Sequence, residues 1–592
     1  MTSLFLVNSS LAQEIEWAVA AQGVNGELGT AVSADDNYIY HGGDLSGEAV
    51  FAPGELNEEI VDGHNYVARY THDGGLDWVA AIPSTVGSLD INGIESDPWG
   101  NVYITGEVFT GDVHTFGLGE PNETTIDSGF NASDIFVAKF NKDGSFAWAR
   151  TAGINEQNGA RDIAVDHKGA SYITGYFRSN IVIGAEGTTP SVELTSQGGV
   201  LDNDVFIVKF DTDGDLIWAR SAGGADGADT GFGISLDHKN NIFVAGGYRT
   251  QAIFGANTKR EVVIDAYGLS DGFLARFSPD GIPIWVVTIG GDSWDQGQDL
   301  VTQKGKAVIV GSFNETATFG STDGATQQLT AQSTDNIFIA RYNRAGELQW
   351  TNGIYMDDTF DFSIDAGIGE DQQSCVMANF SGMATFGSGQ TNETVLNSPG
   401  DADMYFACYS GQGVFQWVEP DPAPLKSSTM TSKGEIIVTG GYQGNTFFGP
   451  LDPNDELLLN AGSRDIYLAK YQSQKPGFSF TDIDDIKAGA SETQMDAFAG
   501  TAGIPDTYEL NGNYPNPFNP QTTIRFGLPE SAQVSLQVFD VTGRVVANLV
   551  DGSLQAGSHE IQFGASDLPS GLYLYKLSTP AGQFTKVMSL IK

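Results

Sequence analysis

Short apolar runs separated by Gly, Asp and Asn recur along the chain in one order. In DVFIVKFDTDGDLIWAR (204–220), two runs in which apolar and polar residues partly alternate, VFIVKF and LIWAR, flank the centre D-T-D-G-D. Runs of this make-up bounded by turn residues predict two strands and a tight hairpin. The frame returns at 64–80, 134–150, 271–287, 336–352 and 403–419. Its centre has the look of a calcium loop, yet Ala345 and Gln412 stand where Asp213 does, and neither replaces a carboxylate as a calcium ligand. What persists is the glycine, which reaches the positive φ of a hairpin at little steric cost.

The hairpins belong to a longer repeat. Trp17, Trp78, Trp148, Trp218, Trp285, Trp350 and Trp417, seven of the nine tryptophans, recur at intervals of about 61–70 residues. After each Trp strand come a loop and a short strand such as RDIAVD (161–166) or GISLD (233–237). A turn and a second strand containing a small residue follow, such as YITGYF (172–177), then a longer loop often containing Phe-Gly. The third strand is of the DIFVAKF type, and the Trp strand is the fourth. Four antiparallel strands per repeat, repeated throughout, indicate a β-propeller. The last third strand, DIYLAKY (465–471), has no Trp strand after it, and the first Trp strand, IEWAVA (15–20), has no third strand before it. The two complete one another, which predicts an all-β, seven-bladed β-propeller over residues 13–471 closed by the N-terminal strand. A linear solenoid would leave both strands unpaired.

The motifs GNVYITG (100–106), DIFVAKF (134–140) and DGSFAW (143–148) resemble the bacterial seven-bladed propeller repeats called SBBP repeats, and the resemblance runs from residue 14 to about 471. It implies a fold and no catalytic residues.

Beyond Tyr471 the repeat stops. Residues 472–507 are small, polar and acidic and read as a flexible linker. From Tyr508 a new pattern begins, in which the prolines of YPNPFNP (514–520) exclude a helix and short alternating strands follow. Its size and pattern predict a small Ig-like antiparallel β-sandwich over 508–592. YPNPFNP, VFDVTGRVV (538–546), LPSGLYLYKL (568–577) and KVMSLIK (586–592) resemble the type A C-terminal sorting domain of type IX secretion. The resemblance implies passage through the periplasm to the outer surface or medium, with the type IX translocon and a sortase-like peptidase that removes the domain as partners.

Composition narrows the partners. The net charge of −46, from 75 acidic against 29 basic residues, argues against nucleic acid and anionic membranes as ligands. Salt would screen that self-repulsion, so a saline habitat and an ordinary acidic secreted protein both fit. No run is long enough for a transmembrane helix. MTSLFLVNSSLAQ reads as the tail of a secretory signal over 1–12, with a small-x-small site before Gln13 and without a charged start.

No HExxH, GxSxG, Walker loop or Cys/His metal spacing is present. GGDSW (290–294) has the G-D-S start of some esterases but occupies the loop that elsewhere reads AGGADGAD (222–229), and His167 and His238 sit in D-H-K turns. The third strands carry Arg69, Lys139, Lys209, Arg276, Arg341 and Lys470 at one position, read as partners for nearby carboxylates, with Cys408 the exception. Cys408 and Cys375 lie on neighbouring strands of one blade, so a disulfide and two free thiols both remain open. In an up-and-down blade the Asp-Gly hairpins share one face and the longer loops the other. Asp226, Asp229, Asp292, Asp295, Asp357 and Asp358 fall in the latter, as candidate ligands for calcium or as a solvated acidic surface. No catalytic or cofactor-binding residue is assigned. The reading is a secreted or cell-surface propeller acting as a non-enzymatic binding module. A propeller-based polysaccharide lyase or hydrolase is the alternative.

Overall fold

The computed structural model describes residues 15–472 and 508–590 apart from short internal stretches. The expected leader (1–12), the linker beyond Gln472, Asp226 and Asp358 lie outside the described residues. Every described element is a β-strand, and the chain forms two compact units, residues 1–474 and 475–592.

The first unit is a series of antiparallel sheets. In one repeat the strands Gly159–Val165, Ser171–Arg178, Asn203–Phe210 and Leu216–Gly223 pair in that order, from inner to outer. The second and third strands are packed on both faces by neighbouring sheets: every residue of Ile242–Tyr248 and Asp271–Phe277 is buried. Burial on both faces explains why their sequences run nearly continuously apolar instead of alternating. Apolar clusters fill the spaces between successive sheets, as where Ile173 and Phe206 meet Ile135 and Val137 of the preceding repeat.

The segments read as longer Phe-Gly loops are hairpins. Asn180–Ile183 with Val192–Thr195, Gln251–Phe254 with Val262–Asp265, and Thr316–Phe319 with Gln327–Thr330 are two-stranded. Each lies along the outer strand of the preceding repeat, through Ile183↔Ala152, Phe254↔Ala222 and Phe319↔Ile289, and extends that sheet to six strands. Phe254 and Phe319 are buried there. The hairpin covers a strand edge that would otherwise template pairing with other chains.

The N-terminal strand Ile15–Gly23 pairs antiparallel with Asp465–Tyr471, with Ala18 opposite Ala469 and Val19 opposite Leu468. On its other side Ala21, Gln22 and Gly23 pair with Phe51, Val50 and Ala49 of the first repeat. Ile437, Ile466 and Leu468 of the last repeat share an apolar cluster with Ile39, Tyr66 and Ala68 of the first. His41 Nε2 lies 2.6 Å from Thr439 Oγ1 in the same region.

The second unit has two antiparallel sheets. Glu509–Tyr514, Gln521–Leu528 and Gly557–Gly564 form one; Val545–Leu554, Ala532–Asp540, Gly571–Thr579 and Gly582–Leu590 form the other. Ile524, Phe526, Leu536, Val538, Tyr575 and Leu577 are buried in a core the two share.

Candidate functional site: a welded hairpin end, a polar cavity and a loop end

At the hairpin end, the signature residues tie each repeat to the next. Trp148 Nε1 donates to the Thr212 carbonyl in the following hairpin at 3.0 Å, and Lys139, on the strand paired with that of Trp148, donates to the same oxygen at 3.1 Å. Trp285 and Arg276 share the Arg344 carbonyl, Trp350 and Arg341 that of Gly411, and Trp17 and Lys470 that of His72. Gly214 meets the Trp148 ring at φ +79°, where a Cβ would be strained and would also collide with the indole. The basic group lies over the aromatic ring opposite it on the second strand, Lys139 at 5.0 Å from the Tyr103 centroid and Lys209 at 4.6 Å from that of Tyr172. Carboxylates complete some of these sites: Asp77 bonds Arg69, Asp237 lies 2.9 Å from Arg276, and Glu16 lies 2.7 Å from Lys470. The turn carbonyl is the shared partner that the sequence reading did not anticipate.

The sixth repeat departs from this pattern. Cys408 replaces the basic residue, pairs across strands with Cys375, and is joined to it by a disulfide with Cα atoms 4.1 Å apart. Trp417, opposite Cys408 on the outer strand, has a buried Nε1 with no acceptor among the described residues. In the next repeat the outer strand comes from the other end of the chain, so its third and outer strands, Asp465–Tyr471 and Ile15–Gly23, are not consecutive in sequence.

The inner strands line a polar cavity of about 570 Å³. Most carry a β-bulge at one common place, as between Ala160 and Asp162 or between Gly297 and Asp299. The side chain that follows, and Asp365 on an inner strand without the bulge, reach the next inner strand. Asp162 accepts the Ile234 N–H at 2.7 Å, Asp299 that of Ala366 at 2.8 Å, Asp365 that of Ser428 at 2.6 Å, and Ser427 Oγ that of Val32 at 3.2 Å. Glu95 also lines the cavity. Burial raises the Asp162 carboxyl well above its ordinary range, with the Asp299 charge adding to it, and raises Glu95 to about 7. Asp299 and Asp365 are raised by burial as well, Asp365 further by the charge of Asp299. The sequence reading missed this set. Its signal is a carboxylate at one place in RDIAVD, QDLVT (298–302) and SIDAG (363–367).

Of the acidic loop residues, Asp229 and Asp295 are buried. Asp229 accepts the N–H of Gly224 at 3.0 Å and of Arg249 at 2.9 Å, and Asp295 those of Gly291 at 2.8 Å and Asn314 at 3.1 Å. Both oxygens of each carboxylate thus hold loop backbone, and burial raises each group to about 7. Asp292 and Asp357 are exposed. Among the described residues no three His, Cys, Asp or Glu side chains gather as metal ligands. Ser293 of GGDSW accepts the Leu269 N–H at its carbonyl. His167 meets Asn240 at 3.2 Å and His238 meets Arg344 at 3.1 Å, both exposed turn contacts.

Residues 513–591 match the family described as the secretion system C-terminal sorting domain. The chain carries a type IX secretion sorting domain. That domain marks it for secretion to the cell surface or beyond. Over 344 residues the chain is 25% identical to an uncharacterized WD repeat-containing protein of Acanthamoeba polyphaga mimivirus, a match covering 50% of this chain and 24% of that protein. The chain therefore spans about a quarter of the curated relative it matches, and its first unit is β-propeller-like. Among solved structures, a protein of unknown function from Bacteroides caccae is 12% identical with a TM-score of 0.25, covering 58% of this chain and 92% of that one. PorZ, a bacterial surface component of the type IX secretion system of Porphyromonas gingivalis, is 9% identical with a TM-score of 0.15, covering 97% of this chain and all of that one. No helix among the described residues is long and apolar enough to cross a membrane.

Proposed function

We propose that this protein is an SBBP-type seven-bladed β-propeller, closed by its N-terminal strand, that acts after type IX export as a non-enzymatic binding module at the cell surface or in the medium. Closure is supported by the pairing of Ile15–Gly23 with Asp465–Tyr471 and by the apolar cluster shared between first and last repeats. The observation that carries the binding role is the group of exposed Tyr267, Leu269 and Trp294 on adjoining loops at the loop end. Exposed side chains on loops held by a rigid scaffold are where binding resides. The carboxylates of the cavity are engaged in backbone bonds between strands, which fits a structural part better than proton transfer.

The sorting domain is removed by a sortase-like peptidase within residues 472–507. Intact-mass measurement of the protein from culture medium and surface fractions tests this: a mature chain ending within the linker is expected, and one ending at Lys592 contradicts it. Retention of the mature protein on immobilised surface polysaccharides or envelope proteins, with no change in the size of the polysaccharide, tests binding against the lyase or hydrolase alternative.

A further inference from the structure

Two tryptophans stand outside the repeat signature, and one of them, Trp294, occupies a defined repeat position. In four repeats among the described residues, the loop after the outer strand forms a parallel bridge with a residue at or just ahead of the start of the third strand. At that bridge Gln157 faces Ser133, Ala228 faces Asn203, and Trp294 faces Ser270. Neighbouring repeats make the bridge with an amide or a methyl, so the loop needs no indole. Trp294 is 40% exposed, and the segment beside it carries Tyr267, 76% exposed, and Leu269, 59% exposed. The two backbones are in contact. Leu269 donates to Ser293 at 3.0 Å, and a Cβ at Gly268 would collide with the Gly291 carbonyl and the peptide that follows. The Arg249 guanidinium lies 4.5 Å from the Trp294 ring centroid, and Asp292 is exposed in the same loop. All these residues lie at the end of the sheet away from the hairpins.

We propose that Trp294, Tyr267, Arg249 and Asp292 form a binding platform for a neutral polysaccharide. The inference rests on the binding reading above and names its ligand. The C–H faces of a pyranose bury apolar surface against an aromatic ring, while its equatorial hydroxyls ask for donors and acceptors around the ring's edge. Arg249 supplies a fork of donors, held in place by its stack on the indole, and the Asp292 carboxylate supplies acceptors. Charge selects among glycans: a chain of net charge −46 repels uronate-rich or sulfated polymers. Size selects against a protein partner, since a few side chains on one loop pair fall well short of the roughly 1,200–2,000 Å² of a stable protein interface.

The test is affinity electrophoresis of the full-length protein through gels containing glucans, mannan or xylan, with alginate and chondroitin sulfate as acidic comparisons. Wild type, Trp294→Ala, Tyr267→Ala and the conservative Tyr267→Phe are run together, and melting temperatures check folding. Retardation by at least one neutral polymer is expected, weakened about tenfold or more by Trp294→Ala and by Tyr267→Ala and largely kept by Tyr267→Phe, with melting temperatures unchanged. Equal retardation of wild type and both alanine variants overturns this site while leaving the binding reading standing. Retardation by acidic polymers alone overturns the ligand class. A concentration-dependent dimer in sedimentation that Trp294→Ala abolishes overturns the proposal in favour of self-association.

Discussion

Trp148 and Trp417 hold the same repeat position in different surroundings. The first gives its N–H to the Thr212 carbonyl, and the second buries its N–H without an acceptor among the described residues. Replacing the indole by a benzyl side chain removes the N–H and some packing. Trp148→Phe therefore loses a hydrogen bond and leaves the Thr212 carbonyl to Lys139 alone, for about 1 kcal/mol beyond the packing change, whereas Trp417→Phe removes a donor that has no acceptor among the described residues. Urea denaturation of the two variants should show Trp148→Phe clearly less stable than Trp417→Phe. Equal losses would mean that the turn carbonyls contribute nothing. The Trp and glycine positions were legible in the sequence because each is one residue type at one spacing. The shared carbonyl was not, because a main-chain acceptor leaves no mark on residue identity. Asp229 and Asp295 were legible as acidic loop residues and not as backbone staples, although Glu27, Asn158, Asp229 and Asp295 each stand two residues ahead of the Gly or Ala near the start of an inner strand.

The disulfide occupies the place where the hairpin contacts fail. Cys375 and Cys408 are 33 residues apart in sequence, and closing a loop of that length stabilises by about 3–4 kcal/mol through the unfolded chain. The variant Cys375→Ala/Cys408→Ala should melt lower than wild type under non-reducing conditions and lose its dependence on reductant. Titration of the denatured, unreduced wild type that finds two free thiols would contradict the bond. The repeat frame reads from sequence because strands buried on both faces run apolar and the turns carry glycine. The outer hairpins do not, because strands such as Thr316–Phe319 and Gln327–Thr330 are four residues long, mostly polar, and defined by an edge that only the folded neighbour provides.

Buried carboxylates give the first unit a pH dependence of definite sign. Burial raises Asp134 and Asp271 to about 6 and Glu95, Asp204, Asp229 and Asp295 to about 7. Each keeps a proton in the folded state that it releases, near pH 4, when unfolded. The stability it contributes is fully present below about pH 4 and is lost as pH rises through 6 to 7. Repulsion within a chain of net charge −46 acts in the same direction. The melting temperature should fall from pH 5 to pH 8, and the fall should persist in about 1 M salt, which screens surface charge and leaves the buried groups untouched. A melting temperature that rises with pH over this range would contradict the assignment.

Much of the whole-molecule account rests on one junction, the pairing of the N-terminal strand with the last third strand. It explains why Lys470 reaches Glu16 on the N-terminal strand and the His72 carbonyl of the first repeat. The most direct test introduces cysteines at facing positions, Val19→Cys with Leu468→Cys, and maps disulfides by mass spectrometry of the unreduced digest, with Val19→Cys and Leu468→Cys singly as controls. The account predicts an intramolecular cross-link between the peptides carrying positions 19 and 468 in the monomer, with Cys375–Cys408 intact. Free thiols at 19 and 468 under oxidising conditions, or cross-links found only between molecules, would contradict a ring closed by its own N-terminus.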